Sequence, residues 1–212
     1  MFDVIIFDMD GLLIDSERVA YRAYFQAAED LGIPLEDKHF HEVLGTNSTL
    51  EQEILEGHFP NLNWTTFRSA IRANVITIYE EEGVPVKPGA IELLQYLQTE
   101  HIPAVVATSS AREDATALLT HADLIYYFEK LICGDEIQHS KPAPDIFLKA
   151  LGNREASRAL VLEDSHQGIE AANRANIPVI MVPDILTPPE GKNILYIMDS
   201  LYDVLNWLRQ AR

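Results

Sequence analysis

The chain has 212 residues, enough for a sizeable core, and its composition of 47% apolar and 23% charged residues is that of an ordinary globular protein. A net charge of −17 excludes non-specific binding to nucleic acid or to an anionic membrane, both of which need a basic surface. The single cysteine, Cys133, excludes an intrachain disulfide. With no signal-peptide pattern and no apolar run of about 18 residues, a cytoplasmic protein is expected.

In chain order, Val4, Ile5, Ile6 and Phe7 form a continuous β-branched and aromatic run with no alternation. That pattern suits a strand buried on both faces of a parallel sheet. Asp8 and Asp10 follow where such a strand would leave the core, and Gly11 lets the backbone turn. Ligands of open α/β sheets bind outside the carboxyl ends of the strands. Taken alone, the stretch reads equally well as a polar turn. Residues 17–31 then repeat apolar side chains at helical spacing, with Ser16 as candidate N-cap and Gly32 and Pro34 as the stop. Further helices are predicted at 40–44, 50–55 and 64–79, punctuated by Gly45, Gly57 and Pro60. Residues 15–83 are therefore expected to be an all-helical insertion.

From residue 84 onward, helices and short apolar runs alternate. Helices are predicted at 90–99, 111–120, 144–151 and 168–175, and strands at 104–107, 130–133, 159–162 and 179–182. A last run at 194–198 precedes a C-terminal helix ending at 208. Repeated β-α units imply a mostly parallel sheet covered by helices on both faces. The fold class expected is α/β: a doubly wound, Rossmann-like core of residues 1–14 and 84–212, with the helical domain 15–83 inserted after the first strand.

In such a sheet the strand ends share one edge. Strand one contributes Asp8 and Asp10, the second run ends in Thr108-Ser109-Ser110, and the run at 159–162 ends in Glu163-Asp164-Ser165. Lys141 sits in a loop before a helix, restricted by Pro142, and Pro144 is placed to open that helix. Each has a structural explanation of its own. Ser110-Ala111-Arg112-Glu113 fits a capping box, which gives capping to Ser110 and leaves Thr108 and Ser109 for an anion at the helix N-terminus. Most lysines are simply solvated, and Glu163-Asp164 complements a helix dipole. Together they are harder to explain, because a sheet gains nothing from gathering four carboxylates unless a cation neutralises them. Oxygen-only ligands point to a hard cation, and Mg²⁺ characteristically combines one or two carboxylates with a substrate phosphate. Asp8, Asp164 and Glu163 read as such a site.

The set Asp8-Met9-Asp10-Gly11, Thr108, Lys141 and Glu163-Asp164 resembles the four motifs of the haloacid dehalogenase-like superfamily, over nearly the whole chain. It is most similar to the branch of β-phosphoglucomutase and small-molecule phosphatases, whose helical cap follows the first strand. The resemblance implies phosphoryl transfer through an aspartyl-phosphate, with Asp8 as nucleophile and Asp10 as general acid and then base. It implies Thr108, Ser109 and Lys141 as phosphate-binding residues. It also implies Mg²⁺ as cofactor, bound around Asp8, Asp10 (through its backbone carbonyl), Asp164 and, through water, Glu163. The mutase-type cap histidine is replaced by Ala20, and its basic cap residues by Leu44 and Ser48. The expected function is therefore hydrolysis of a small phosphorylated metabolite by a monomer. A phosphosugar mutase and a catalytically silent binding protein are the alternatives. Dehalogenases lack an acid at the position of Asp10. Arg112, His166, Arg68 and Arg72 are accessory candidates, each equally well read as an ordinary solvated or loop residue.

Overall fold

The computed structural model describes residues 2–44, 46, 48–184 and 187–210. Two compact units make up the chain, one of Met1–Asp15 with Val84–Arg212 and the other of Ser16–Gly83.

The first unit is built on a parallel sheet of β1 (Val4–Phe7), β2 (Ala104–Ala107), β3 (Phe128–Ile132), β4 (Ala159–Glu163), β5 (Val179–Met181) and β6 (Tyr196–Ile197), in the order β3-β2-β1-β4-β5-β6. The strand order reverses at β1, which lies between β2 and β4. The doubly wound expectation holds. The apolar runs lack alternation because both faces are covered. Ile5, Phe7, Val106 and Leu162 face a core closed by α5 (Ala90–Thr99), α6 (Arg112–His121) and α9 (Leu201–Gln210). Val4, Ile6, Val105 and Val161 face a second core closed by α7 (Asp145–Leu151) and α8 (His166–Arg174). Burying a side chain of this size stabilises by roughly 1.5–3 kcal/mol, and β1 is buried along its whole length. In the ladders Phe7 lies opposite both Val106 and Leu162. The carboxyl ends of β1, β2 and β4 are therefore level, and whatever follows them meets on one edge.

The second unit contains α1 (Ser16–Leu31), α2 (Asp37–Val43), α3 (Ser48–His58) and α4 (Trp64–Glu82). Ala23, Ala27, Ala28, Leu55, Phe67 and Ile71 form its core, small residues on α1 meeting large ones on α4. Several boundaries differ from expectation, among them the start of α2, which lies at Asp37 and not at residue 40. Ser16 is already helical and does not stand outside as a cap. Gly57 lies within α3 and does not end it; a single glycine costs a helix only about 1 kcal/mol. Helix α4 runs on to Glu82, whose carboxylate takes both ends of the Arg22 guanidinium at 2.6 and 2.7 Å. Gly45, expected as a breaker, lies outside the described residues. Of the run 194–198 only Tyr196–Ile197 pairs as strand.

Candidate active site

Among the described residues six polar or charged side chains are buried, and five of them, Asp8, Thr108, Lys141, Glu163 and Asp164, belong to the strand-end set. Asp8 leaves β1 with its N–H on the Leu162 carbonyl at 3.0 Å, which continues the ladder one residue past the strand. Its Oδ1 accepts from Lys141 Nζ at 2.5 Å, and the same ammonium donates to Glu163 Oε1 at 2.7 Å. Lys141 is aimed by its loop. The Pro142 carbonyl accepts from Arg174 at 3.2 Å, the Ala143 N–H bonds the Ser140 carbonyl at 3.0 Å, and the ammonium stands 4.9 Å from the centre of the Phe147 ring.

Charge and burial compete here. Burial pushes the Asp8 carboxyl up to about 7; Lys141 opposes this, while Glu163 and Asp10 add to it. Burial alone would lower the Lys141 ammonium, but the attraction of Asp8 and Glu163 outweighs it and holds the lysine above its ordinary range. Glu163 is committed on both oxygens. Oε1 takes Lys141, and Oε2 accepts from the Asp164 N–H at 2.9 Å, the Ser165 N–H at 2.8 Å and the Ser165 hydroxyl at 2.9 Å. Ser165 in turn caps α8, accepting from the Gly168 N–H at 3.1 Å.

Asp10 is held from β2. Its Oδ2 accepts from Ser110 Oγ at 2.8 Å and, at a long 3.4 Å, from Thr108 Oγ1. This corrects the capping-box expectation. Ala111, not Ser110, occupies the N-cap of α6, and the first helical N–H, that of Arg112, goes to Asp135 Oδ1 at 3.1 Å. The carboxylate of Asp135, just beyond β3, accepts that N–H, and the Ser110 hydroxyl bonds Asp10 instead. Thr108 is buried and Ser109 exposed at the same strand end.

Asp164 meets the turn beyond β1 at Gly11. A Cβ on Gly11, at φ +76°, would stand 2.2 Å from Asp164 Oδ2, so only glycine admits the carboxylate there. Gly168 does the same for Glu163, whose Oε1 lies 1.6 Å from where a Cβ would be. Sequence reasoning overlooked both Gly168 and the Ser110–Asp10 bond. The glycine in the first turn after Glu163-Asp164-Ser165 was the available signal for the former. Among the described residues no three acidic, histidine or cysteine side chains form a ready metal cage.

Of the accessory residues, Arg112 and His166 take partners outside this set. Arg112 Nη2 donates to the Leu131 carbonyl at 2.6 Å, and its Nε pairs with Glu136. The His166 ring nitrogen Nε2 meets the Thr187 carbonyl at 2.5 Å. In the helical unit, Arg68 bonds the Ser48 hydroxyl, and Arg72 is exposed.

Residues 5–182 match the family model described as haloacid dehalogenase-like hydrolase. The chain belongs to that family. Within it, the chain is 37% identical over 211 residues to the probable pseudouridine-5'-phosphatase of Drosophila melanogaster, covering 93% of this chain and 89% of the relative. It is 30% identical to a phosphorylated carbohydrates phosphatase of Thermotoga maritima, over 82% of each chain. A β-phosphoglucomutase-like structure from Thermotoga maritima superposes with a TM-score of 0.85 at 27% identity, over 99% of this chain and 100% of that one. This haloacid dehalogenase-like hydrolase is a phosphoric monoester hydrolase, as its phosphatase relatives indicate. Among its described residues no helix is long and apolar enough to cross a membrane.

Proposed function

We propose that the protein is a Mg²⁺-dependent phosphatase that hydrolyses a small phosphorylated metabolite through an aspartyl-phosphate on Asp8. The observation that carries this reading is the buried Asp8 carboxylate, bonded to Lys141 and set two residues before a second acid, Asp10, that is held separately by the β2 hydroxyls. A carboxylate needs no base to become a nucleophile once it is ionised. Lys141 keeps one Asp8 oxygen in place. Asp8 attacks phosphorus, the bond from phosphorus to the leaving oxygen breaks, and Asp10 gives that oxygen its proton. Water then attacks the same phosphorus, Asp10 takes up the water's proton, and the bond to Asp8 breaks, releasing inorganic phosphate. Thr108, Ser109 and Lys141 are assigned to the phosphoryl oxygens. Residues 16–83, the family's cap domain in this reading, are assigned the choice of leaving group.

The donor set suits Mg²⁺. Asp8 and Asp164 would supply carboxylate oxygens and Asp10 its backbone carbonyl, with substrate phosphate and water as the further oxygen ligands that such a hard ion takes. Burial leaves Asp8 near neutrality in its affinity for a proton despite Lys141, and a second cation would restore its charge. Glu163 is left out of this ligand set, because both of its oxygens are engaged by Lys141 and by the 164–165 backbone. When bound, Mg²⁺ neutralises charge on the phosphoryl oxygens.

The test is phosphate release with Mg²⁺ from a panel of sugar, polyol and nucleoside monophosphates. Wild-type turnover with net phosphate release supports hydrolysis, and Asp8→Asn should lower it at least ~10³-fold with the fold intact by circular dichroism. Interconversion of β-glucose 1-phosphate and glucose 6-phosphate without net release would identify a mutase. No turnover across the panel would sink the enzyme reading at this site.

A further inference from the structure

The proton that Asp10 moves must sit on one of two carboxyl oxygens, and the β2 end distinguishes them. Ser110 Oγ donates to Oδ2 at 2.8 Å, and the long Thr108 contact converges on the same atom. An oxygen that accepts a hydroxyl proton at that distance is stabilised as the unprotonated, carbonyl-like partner of the acid. The acidic proton is thereby left to Oδ1.

The Ser110 hydroxyl is itself rigidly placed. The Thr108 N–H bonds the Ile132 carbonyl of β3 at 3.0 Å, and the Ser110 N–H bonds Thr108 Oγ1 at 3.0 Å. The Ser110 carbonyl accepts from the Gly134 N–H at 2.9 Å. This last bond exists because residue 134 is glycine, since a Cβ there would stand 2.1 Å from the Ser109 carbonyl oxygen. The strand end is thus fastened to β3 and to the turn beyond it at consecutive points. That rigidity has a use if the hydroxyl must keep a fixed direction. The alternative role, capping α6, is filled by Asp135.

We propose that Ser110 is a positioning residue for the proton shuttle: it binds Asp10 Oδ2 so that Oδ1 carries the proton to the leaving oxygen. The inference rests on the phosphatase reading above. It predicts a defect that depends on the leaving group. An alkoxide must be protonated as it departs, whereas a nitrophenolate departs with little help. The parameter to compare is kcat/KM, which covers only the steps through loss of the leaving group and so omits the hydrolytic half-reaction.

The experiment measures kcat/KM of wild type, Ser110→Ala and Ser110→Thr with Mg²⁺ on p-nitrophenyl phosphate and on the alkyl monophosphate that wild type hydrolyses best. Ser110→Ala should lose tenfold or more on the alkyl ester and less than about threefold on the aryl ester. Ser110→Thr, which keeps a hydroxyl, should recover most of the alkyl activity. Equal losses on both esters, no loss on either, or failure of threonine to recover the alkyl activity while circular dichroism shows a native fold would each overturn the positioning role and leave the phosphatase reading standing. Wild type that hydrolyses neither ester would overturn both.

Discussion

If Asp8 is the nucleophile proposed above, its buried carboxylate has to stay available for attack on phosphorus and cannot be left to desolvation, and the residues around it divide that task. Lys141 supplies the nearest positive charge, but an ammonium this deep is itself costly unless it is doubly bonded. Glu163, fully buried, is the residue that makes Lys141 tolerable, and Gly168 is what makes room for Glu163. Gly168→Ala would force the Glu163 carboxylate out of its place against a new methyl group and so misplace Lys141. The expected result is a destabilisation of about 1–3 kcal/mol in urea unfolding, with a parallel fall in kcat. Gly57→Ala is the contrast. That glycine lies inside α3 with open space where its Cβ would go, so alanine there should stabilise by up to about 1 kcal/mol. If the two substitutions behave alike, the steric account of Gly168 is wrong.

Between elements, the joint that matters lies where α6 begins against the short turn after β3. Asp135 caps the helix, and Arg112 ties it to Glu136 and to the β3 backbone. The hydrogen bond from Arg112, with its charge, lowers the Glu136 carboxyl to about 2, against an ordinary value of 4.5. A folded-state value below the unfolded one means that the folded protein binds fewer protons. The stabilisation is therefore complete above about pH 4.5 and is lost as the pH falls towards 2. Both partners remain partly exposed, so screening keeps the effect within the roughly 0.2–1 kcal/mol of surface pairs. Glu136→Gln should accordingly melt lower than wild type at pH 7, and thermal scans taken down to pH 3 should show the gap narrowing. A gap that widened in acid would contradict the pairing.

For the molecule as a whole, the acid gathered at the sheet edge of a chain of net charge −17 would make the proposed divalent cation a stabilising ligand as well as a chemical one. A cation that binds the folded state alone raises stability by mass action, about 2.7 kcal/mol at a hundred times its Kd. Chelation should abolish phosphate release, Mg²⁺ should restore it, and Mg²⁺ should also raise the melting temperature. Asp164→Asn should lose most of that rise. A melting temperature indifferent to Mg²⁺ in the wild type would count against the proposed ligand set, independently of any substrate.

The amino-acid sequence alone determined most of the architecture, because it rests on local patterns. Unbroken apolar runs require a sheet covered on both faces, and helical spacing with glycine and proline stops marks the connections. The residues following β1, β2 and β4 had to share an edge once the strands were parallel, which is why Asp8, Asp10, Thr108 and Asp164 were legible as a set. What only the tertiary structure decided is which partner each polar group takes. Ser110 satisfies every local requirement of a capping residue. It binds Asp10 instead, a hundred positions away, and the first N–H of α6 goes to Asp135. Glu163 has the chemistry of a metal ligand and spends it on Lys141 and the backbone of Asp164 and Ser165. Hydrogen-bond donors and acceptors are interchangeable in sequence and become specific only when folding sets the distances between them.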